Sequence, residues 1–381
     1  MSTNTQDASG SVPVLRCLKQ VINRQANYAE RRSNPMQLYG RTWKRRELEA
    51  RAGRLEQIGG IRRLALTEGL EGGVEQIQVR TGAGLAYYVT PQRCLDISLA
   101  EFAGVPFSWQ GPNGDVHPAY YDPRGLEWLR TAAGGLLMTC GFTQVGVPCK
   151  DGEQELGLHG RAHHLPARHV VAEGRWQGDE YEMRIAGIVE EAIIFGEHLR
   201  LTREIRSWLG QNRIVIHDVV ENLSFAPVPH MILYHFNLGF PLMSEDTRMY
   251  FPSRRVQPRY PSVPLEGYDR FQAPTPGYQE RVYYHEDLIT QDGKATVRVE
   301  NPNFPLPDGA RSLTLAVTFD TRTLPRLVEW KMPGCETYVL GVEPGNCYPD
   351  GRVAERERGT LVMLQPGEAV SYDVELSLTL A

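Results

Sequence analysis

The sequence predicts an all-β protein, a large antiparallel β-sandwich with an N-terminal helical extension. Three observations carry that expectation. From Ile61 onward the chain breaks into short apolar or alternating runs, the pattern of half-buried strands. Between the runs lie Gly, Pro, Asn and Asp, and totals of 37 Gly and 26 Pro are enough to turn the chain that often. No helical segments alternate with the runs, so a parallel βαβ sheet does not fit.

Composition sets the outer bounds. With 381 residues, 41% hydrophobic and 23% charged, the chain can bury a large core. We expect one β domain over residues 61–381 and an extension over residues 1–60. A formal net charge of -5 gives no general attraction to nucleic acid or anionic membrane, so neither is an expected partner. The six cysteines form no C-x-x-C pair, which points to free thiols in a reducing compartment. The N-terminus lacks the basic and apolar regions of a secretory signal, and no stretch has the length of a membrane-spanning helix. The expectation is a soluble cytoplasmic protein.

Taken in order, residues 1 to about 12 are polar and expected to be disordered. A helix is predicted over 41–58, where Leu48, Ala52, Leu55 and Ile58 recur at helical spacing and Glu47 precedes Arg51 by four. Gly59-Gly60 should end it. Its basic run, Arg41, Lys44, Arg45 and Arg46, suits a solvated or subunit-facing surface better than a phosphate site. Strands are predicted at 74–79, 86–89, 95–102, 181–189, 199–205, 213–220, 231–238, 295–299, 313–319, 337–342, 359–364 and 370–380. Two stretches read as irregular. One is 104–149, with a helical turn at 123–129; the other is 251–278, where six prolines exclude an interior helix or central strand. Long ordered loops are often functional or interfacial, so the Pro-rich loop and the basic helix are candidate homo-oligomer contacts.

Candidate chemistry centres on a histidine and a carboxylate on separate strands. Alternation places Met231, Leu233, His235 and Asn237 on one face of one strand, and Thr337, Val339, Gly341 and Glu343 on one face of another. A histidine beside an amide suits the mouth of a concave site. Gly341, lacking a side chain, leaves room beside the carboxylate for a ligand. Together His235 and Glu343 form a candidate general acid and base.

Gly157-Leu158-His159-Gly160-Arg161 adds a second histidine and a guanidinium with glycines that permit close approach. His159 and Arg161 are candidate sugar ligands. His163 and His164 lie nearby, but Gly157, Gly160 and Pro166 argue against the helix that a metal-binding pair at i, i+4 would need. Arg93, Trp109, Trp330 and Lys331 are further candidates, as a stacking wall and positive donors. The chain has no G-x-S-x-G elbow, no phosphate-binding P-loop and no strand-linked G-x-G-x-x-G, so serine hydrolases, P-loop enzymes and nicotinamide dehydrogenases fit poorly.

These residues resemble a known family. "VENLSFAPVPHMILYHFNLGFPL", Val220 to Leu242, is similar to the segment of aldose 1-epimerases, the galactose mutarotase-like proteins, in which a P-x-P turn precedes the catalytic-histidine strand. "GLHGR" resembles their second-histidine region, and "YVLGVEPGN", Tyr338 to Asn346, their late strand ending in the catalytic glutamate. With "RCLDISLAEFAGVPFSW" and "WLRTAAGGLLMTCGF", the likeness is to an uncharacterised branch of aldose-epimerase-like proteins and spans roughly residues 60 to 381.

The resemblance implies the mutarotase-like supersandwich, a carbohydrate substrate and no cofactor. It implies His235 as general acid, Glu343 as general base, and His159 and Arg93 as sugar-binding groups. Asn237, Arg161, Trp330 and Lys331 complete the expected substrate-binding set. The Leu233-Tyr234-His235-Phe236-Asn237 order departs from the family's usual N-H-x-Y-F order. Two other readings stand beside mutarotation: a keto-sugar or uronate isomerase, epimerase or lyase using a metal at His159, His163 and His164, and a noncatalytic sugar sensor.

Overall fold

The alternating runs assemble into two antiparallel sheets in a computed structural model that describes residues 36–381. The expectation of disorder at residues 1 to about 12, and the first part of the extension, lie outside the described residues. One sheet has eight strands in the spatial order Arg168–Gln177, Glu180–Ala192, His198–Trp208, Arg213–Asn222, Ala369–Leu380, Gly309–Asp320, Lys294–Leu306 and Arg248–Tyr250. The other has twelve. Its main path runs Ser253–Pro258, Arg281–Leu288, Arg326–Pro333, Tyr338–Gly345, Val228–Gly239, Leu137–Phe142, Asp96–Phe102, Leu85–Thr90, Glu75–Arg80 and Gly60–Ala65.

Period-two alternation builds the core. Leu199, Leu201 and Ile205 of one sheet turn inward, as do Ile232, Phe236, Leu340 and Val342 of the other, and the two sets fill one apolar layer. Each strand's opposite residues remain free for other work. On the twelve-stranded sheet those outward positions carry the candidate acid and base.

One charged network crosses this core. Arg203 is fully buried on its strand and reaches Asp218 at 2.7 Å and Asp96 at 2.8 Å. Tyr234 donates its hydroxyl to Asp218 at 2.6 Å. Burial alone would raise the Asp96 carboxyl, but His163, Arg203 and Thr139 outweigh it and hold it below its ordinary value. Buried charges persist only when paired in this way.

Three sequence expectations are corrected. The helix expected over 41–58 is confined to Arg45–Glu49, followed by a 3-10 turn at Leu55–Gln57. Tyr39 and Gly40 both adopt positive φ and close a hairpin between Met36–Leu38 and Arg41–Trp43, which takes the first residues of the expected helix. Met36, Leu38, Trp43 and Leu48 then pack on Leu209, a cluster a single straight helix would not form. The basic run is largely neutralised, with Arg45 and Arg46 paired to Glu49 and Arg41 to Glu47.

Within 104–149, Leu137–Phe142 is a buried strand at the heart of the sheet, hidden because it lies in a stretch rich in Gly, Pro and aromatics that reads as loop. The helical turn expected at 123–129 sits at Glu127–Arg130. The Pro-rich 251–278 stretch does contribute Ser253–Pro258, at the sheet edge where proline is tolerated. Among the described residues Cys94, Cys140, Cys149, Cys335 and Cys347 are unpaired thiols, and no helix is long and apolar enough to cross a membrane.

Candidate active site

Strand register brings the acid and base candidates together. Val228–Gly239 and Tyr338–Gly345 pair with Phe236 opposite Val342 and Asn237 opposite Gly341, so His235 falls opposite Glu343 on the face away from the core. His235 Nε2 lies 3.1 Å from Glu343 Oε1. The two residues are 6% and 2% exposed, so the pair sits in a low-dielectric setting.

Burial opposes charge on both partners. It pulls the His235 pKa down to about 4 and pushes Glu343 up to about 8, with Glu280 adding to the latter shift and Arg259 opposing it. Near neutral pH the pair therefore holds one proton. In the resting state that proton sits on the Glu343 carboxyl and the imidazole is neutral.

Aromatic rings wall the pair. The Trp330 ring lies 5.5 Å from that of His235 and donates its Nε1–H to Glu280 at 2.8 Å. Trp109 meets the Trp330 ring edge-on at 6.4 Å. Its backbone can rest on Gly239 because a Cβ there would come within 2.8 Å of Trp109 Cα.

His159 lies beside the pair, its ring 6.0 Å from that of His235 and nearly perpendicular to it. Gly157 and Gly160 make this placement feasible, since a Cβ on either would collide with the backbone of Pro123 or of Gln144 and Gly141. The turn also gives His159 itself a positive φ. Burial, with His235 adding to it, lowers the His159 pKa to about 3.

The remaining sequence candidates separate. Asn237 shares the His235 face, and its amide nitrogen donates to the Gly135 and His235 carbonyls. Its Oδ1 and the His235 Nδ1 are both buried without a hydrogen bond, while the amide acts to raise the His235 pKa. Arg161 is exposed and acts on Tyr121 and Glu191.

Arg93 and Lys331 stand apart from the pair. Arg93 is buried, bound to His163 at 3.0 Å and to the Val116 carbonyl, so its guanidinium belongs to the core network. Lys331 lies one residue from Trp330 and thus on the other face of its strand, where it donates to the Gly267 carbonyl at 2.6 Å. His163 is held by Asp96 at 2.7 Å and His164 contacts Thr131 at 2.9 Å. Among the described residues no three His, Cys, Asp or Glu side chains form a metal-ligating group.

Sequence reasoning missed three neighbours. Trp128 is buried 5.0 Å from the His159 ring, Glu280 anchors Trp330, and Arg259 exerts its field on both Glu343 and His159. Arg259 pairs with Asp350 at 2.9 Å. It sits in the Pro-rich stretch, whose functional flag was the only available signal, since no local pattern distinguishes it from other arginines there.

The comparisons agree with this architecture. A family described as a domain of unknown function, DUF4432, matches residues 71–378. A Klebsiella pneumoniae protein provisionally designated an aldose 1-epimerase superposes with a TM-score of 0.75 at 28% identity, covering 84% of this chain and 83% of its own. A galactose mutarotase-like protein from Clostridium acetobutylicum gives 0.55 at 13% identity, covering 84% and 99%. An Escherichia coli protein provisionally designated an aldose 1-epimerase gives 0.52 at 14%, covering 78% and 97%. The two lower-identity matches speak to fold alone, and it is the galactose mutarotase-like β-sandwich. No curated protein matches the chain.

Proposed function

The chain belongs to the DUF4432 family, and we propose that it is a carbohydrate-active isomerase of aldose 1-epimerase type that interconverts sugar anomers. One observation carries the reading: a histidine and a glutamate 3.1 Å apart on paired strands beside a tryptophan ring. The Klebsiella pneumoniae neighbour at 28% identity, provisionally designated an aldose 1-epimerase, supports the reaction class.

The reaction begins when an entering sugar separates the pair. Proton transfer from Glu343 to His235 Nε2 yields a carboxylate and an imidazolium, which are the base and acid the chemistry needs. Glu343 takes the anomeric hydroxyl proton while His235 protonates the ring oxygen, and the bond between the anomeric carbon and ring oxygen breaks. Rotation of the free aldehyde and closure with roles reversed give the other anomer. Each proton transfer contributes about 10²–10⁴ in rate. Trp330 offers an aromatic face to the ring, and His159 acts as a neutral donor toward an oxygen that gains charge.

NMR exchange rates across aldoses, ketoses, uronates and their phosphates test the proposal. Wild-type protein should accelerate anomer exchange for at least one of them, and E343Q should abolish it while still binding the sugar. Folded wild-type protein that accelerates none would sink the idea, and binding without turnover would establish a sensor.

A further inference from the structure

At one end of the eight-stranded sheet, the turn between Glu180–Ala192 and His198–Trp208 holds apolar side chains in solvent. Gly196 closes it by donating its N–H to the Ile193 carbonyl at 3.1 Å, which leaves Ile194 and Phe195 at the two central positions. Phe195 has a φ of 66° and is fully exposed, in a place where glycine or asparagine would strain the chain least. Ile194 is 82% exposed and Ile193 more than half. The next connection along the sheet lies alongside, because Leu199 pairs with Asn222 and Leu223 donates its N–H to the His198 carbonyl at 2.8 Å. It carries Phe225, also fully exposed. Single exposed apolar residues are ordinary, but two phenylalanines and two isoleucines on adjacent tips form a patch of the kind that marks an interaction site.

We propose that this patch is the two-fold interface of a homodimer, its occupant being the same patch of a second copy of this chain. These tips, rather than the basic run or the Pro-rich stretch, then carry the homo-oligomer contact expected from sequence. Area is the first argument. Two fully exposed phenylalanine rings offer about 300–500 Å², and the two isoleucines bring the patch toward the roughly 600 Å² per partner at the lower limit of stable interfaces. Charge complementarity is the second. Arg161 and Glu197 stand at this same end of the sheet, since both act on the buried Glu191 carboxyl, Arg161 to lower its pKa and Glu197 to raise it. Neither side chain forms an ion pair among the described residues. In an isologous contact each copy sets its Arg161 against Glu197 of the other, which closes two ion pairs beside the apolar centre. An anionic bilayer finds no matching ring of free cations, because Arg168 and Arg200 are engaged by Glu190. Arg161 follows His159 by two residues, so the interface borders the turn that carries that histidine. The inference does not depend on the anomer-exchange reading.

Sedimentation velocity of the full chain over a wide range of concentration tests the interface. Wild-type protein should sediment as a dimer, and the double variant Phe195→Ser/Phe225→Ser as a monomer with an unchanged thermal midpoint. Arg161→Glu and Glu197→Arg should each weaken the dimer about tenfold, because each strikes both symmetric pairs and sets like charges together. Combining the two should restore most of the affinity. A wild type that is monomeric throughout, or a dimer that persists in the double phenylalanine variant, overturns the proposal. A combined charge variant no tighter than either single one overturns the crosswise pairing. Flotation with vesicles of neutral and of anionic lipid tests the other occupant: a monomer that floats with them, and ceases to when both phenylalanines are replaced, assigns the patch to a membrane and overturns the dimer.

Discussion

Gly341 gives Glu343 its place: a Cβ on Gly341 would stand 2.6 Å from Glu343 Oε1, with Trp330 Cβ at 2.9 Å and His235 Cε1 at 3.2 Å. One methyl group would therefore push on both members of the pair and on their aromatic wall. Gly341→Ala should fold, because the position has ordinary strand geometry, and should lose about 10² in kcat, the usual result of misplacing reacting groups by an ångström. Exchange-rate NMR on the folded variant checks this; an unchanged rate would mean the pair tolerates displacement.

The pH dependence of kcat/KM should be flat across the window in which the pair holds one proton. With His235 at about 4 and Glu343 at about 8, the rate should fall below the first value as a second proton is added. It should fall above the second as that proton leaves. A single limb near pH 6.5, the ordinary histidine value, would contradict this assignment of the proton.

Stability should trade against activity at Glu343. Its pKa is raised on folding, from 4.5 to about 8, so the native state binds this proton more tightly than the unfolded chain. That contribution is fully present below pH 4.5 and is lost progressively as pH rises through about 8. Replacing the carboxyl by an amide removes the loss. E343Q should therefore be inactive yet more resistant to urea than wild type at pH 8, and the difference should shrink toward pH 5. Equal denaturation midpoints at both pH values would refute this.

Arg203 should be the costliest single change in the core. Arg203→Met leaves Asp218 and Asp96 buried without their cation, and breaking such a pair costs about 3–5 kcal/mol. Adding Asp218→Asn should recover part of that loss. Urea unfolding of the single and double variants gives both numbers, and a single variant within 1 kcal/mol of wild type would show that the network is dispensable.

What the sequence disclosed follows from periodicity. Val228–Gly239 and Tyr338–Gly345 are buried on both faces and were legible as apolar runs bounded by turn residues, and period two along each strand put His235 with Asn237 and Glu343 with Gly341. Leu137–Phe142 is equally buried, but it lies in a stretch rich in Gly, Pro and aromatics that reads as loop. The short helix was overestimated because hairpin closure at Tyr39 and Gly40 depends on backbone φ rather than on helical spacing. Arg93 and Lys331 are chemically indistinguishable from ligands in a list of residues. Only register, which turns Lys331 away from Trp330, and the long-range contact of Arg93 with His163 reveal their actual neighbours.

The pair's single proton has a broader consequence for the proposed reaction. Ring opening removes one proton from the sugar and returns one to it, and closure repeats the exchange in reverse, so each cycle leaves the pair as it began. Nothing but sugar has to cross the mouth of the site. The near-complete seclusion of His235 and Glu343 is then no obstacle to turnover: a catalyst that neither borrows from the buffer nor releases to it works best where the solvent cannot interfere.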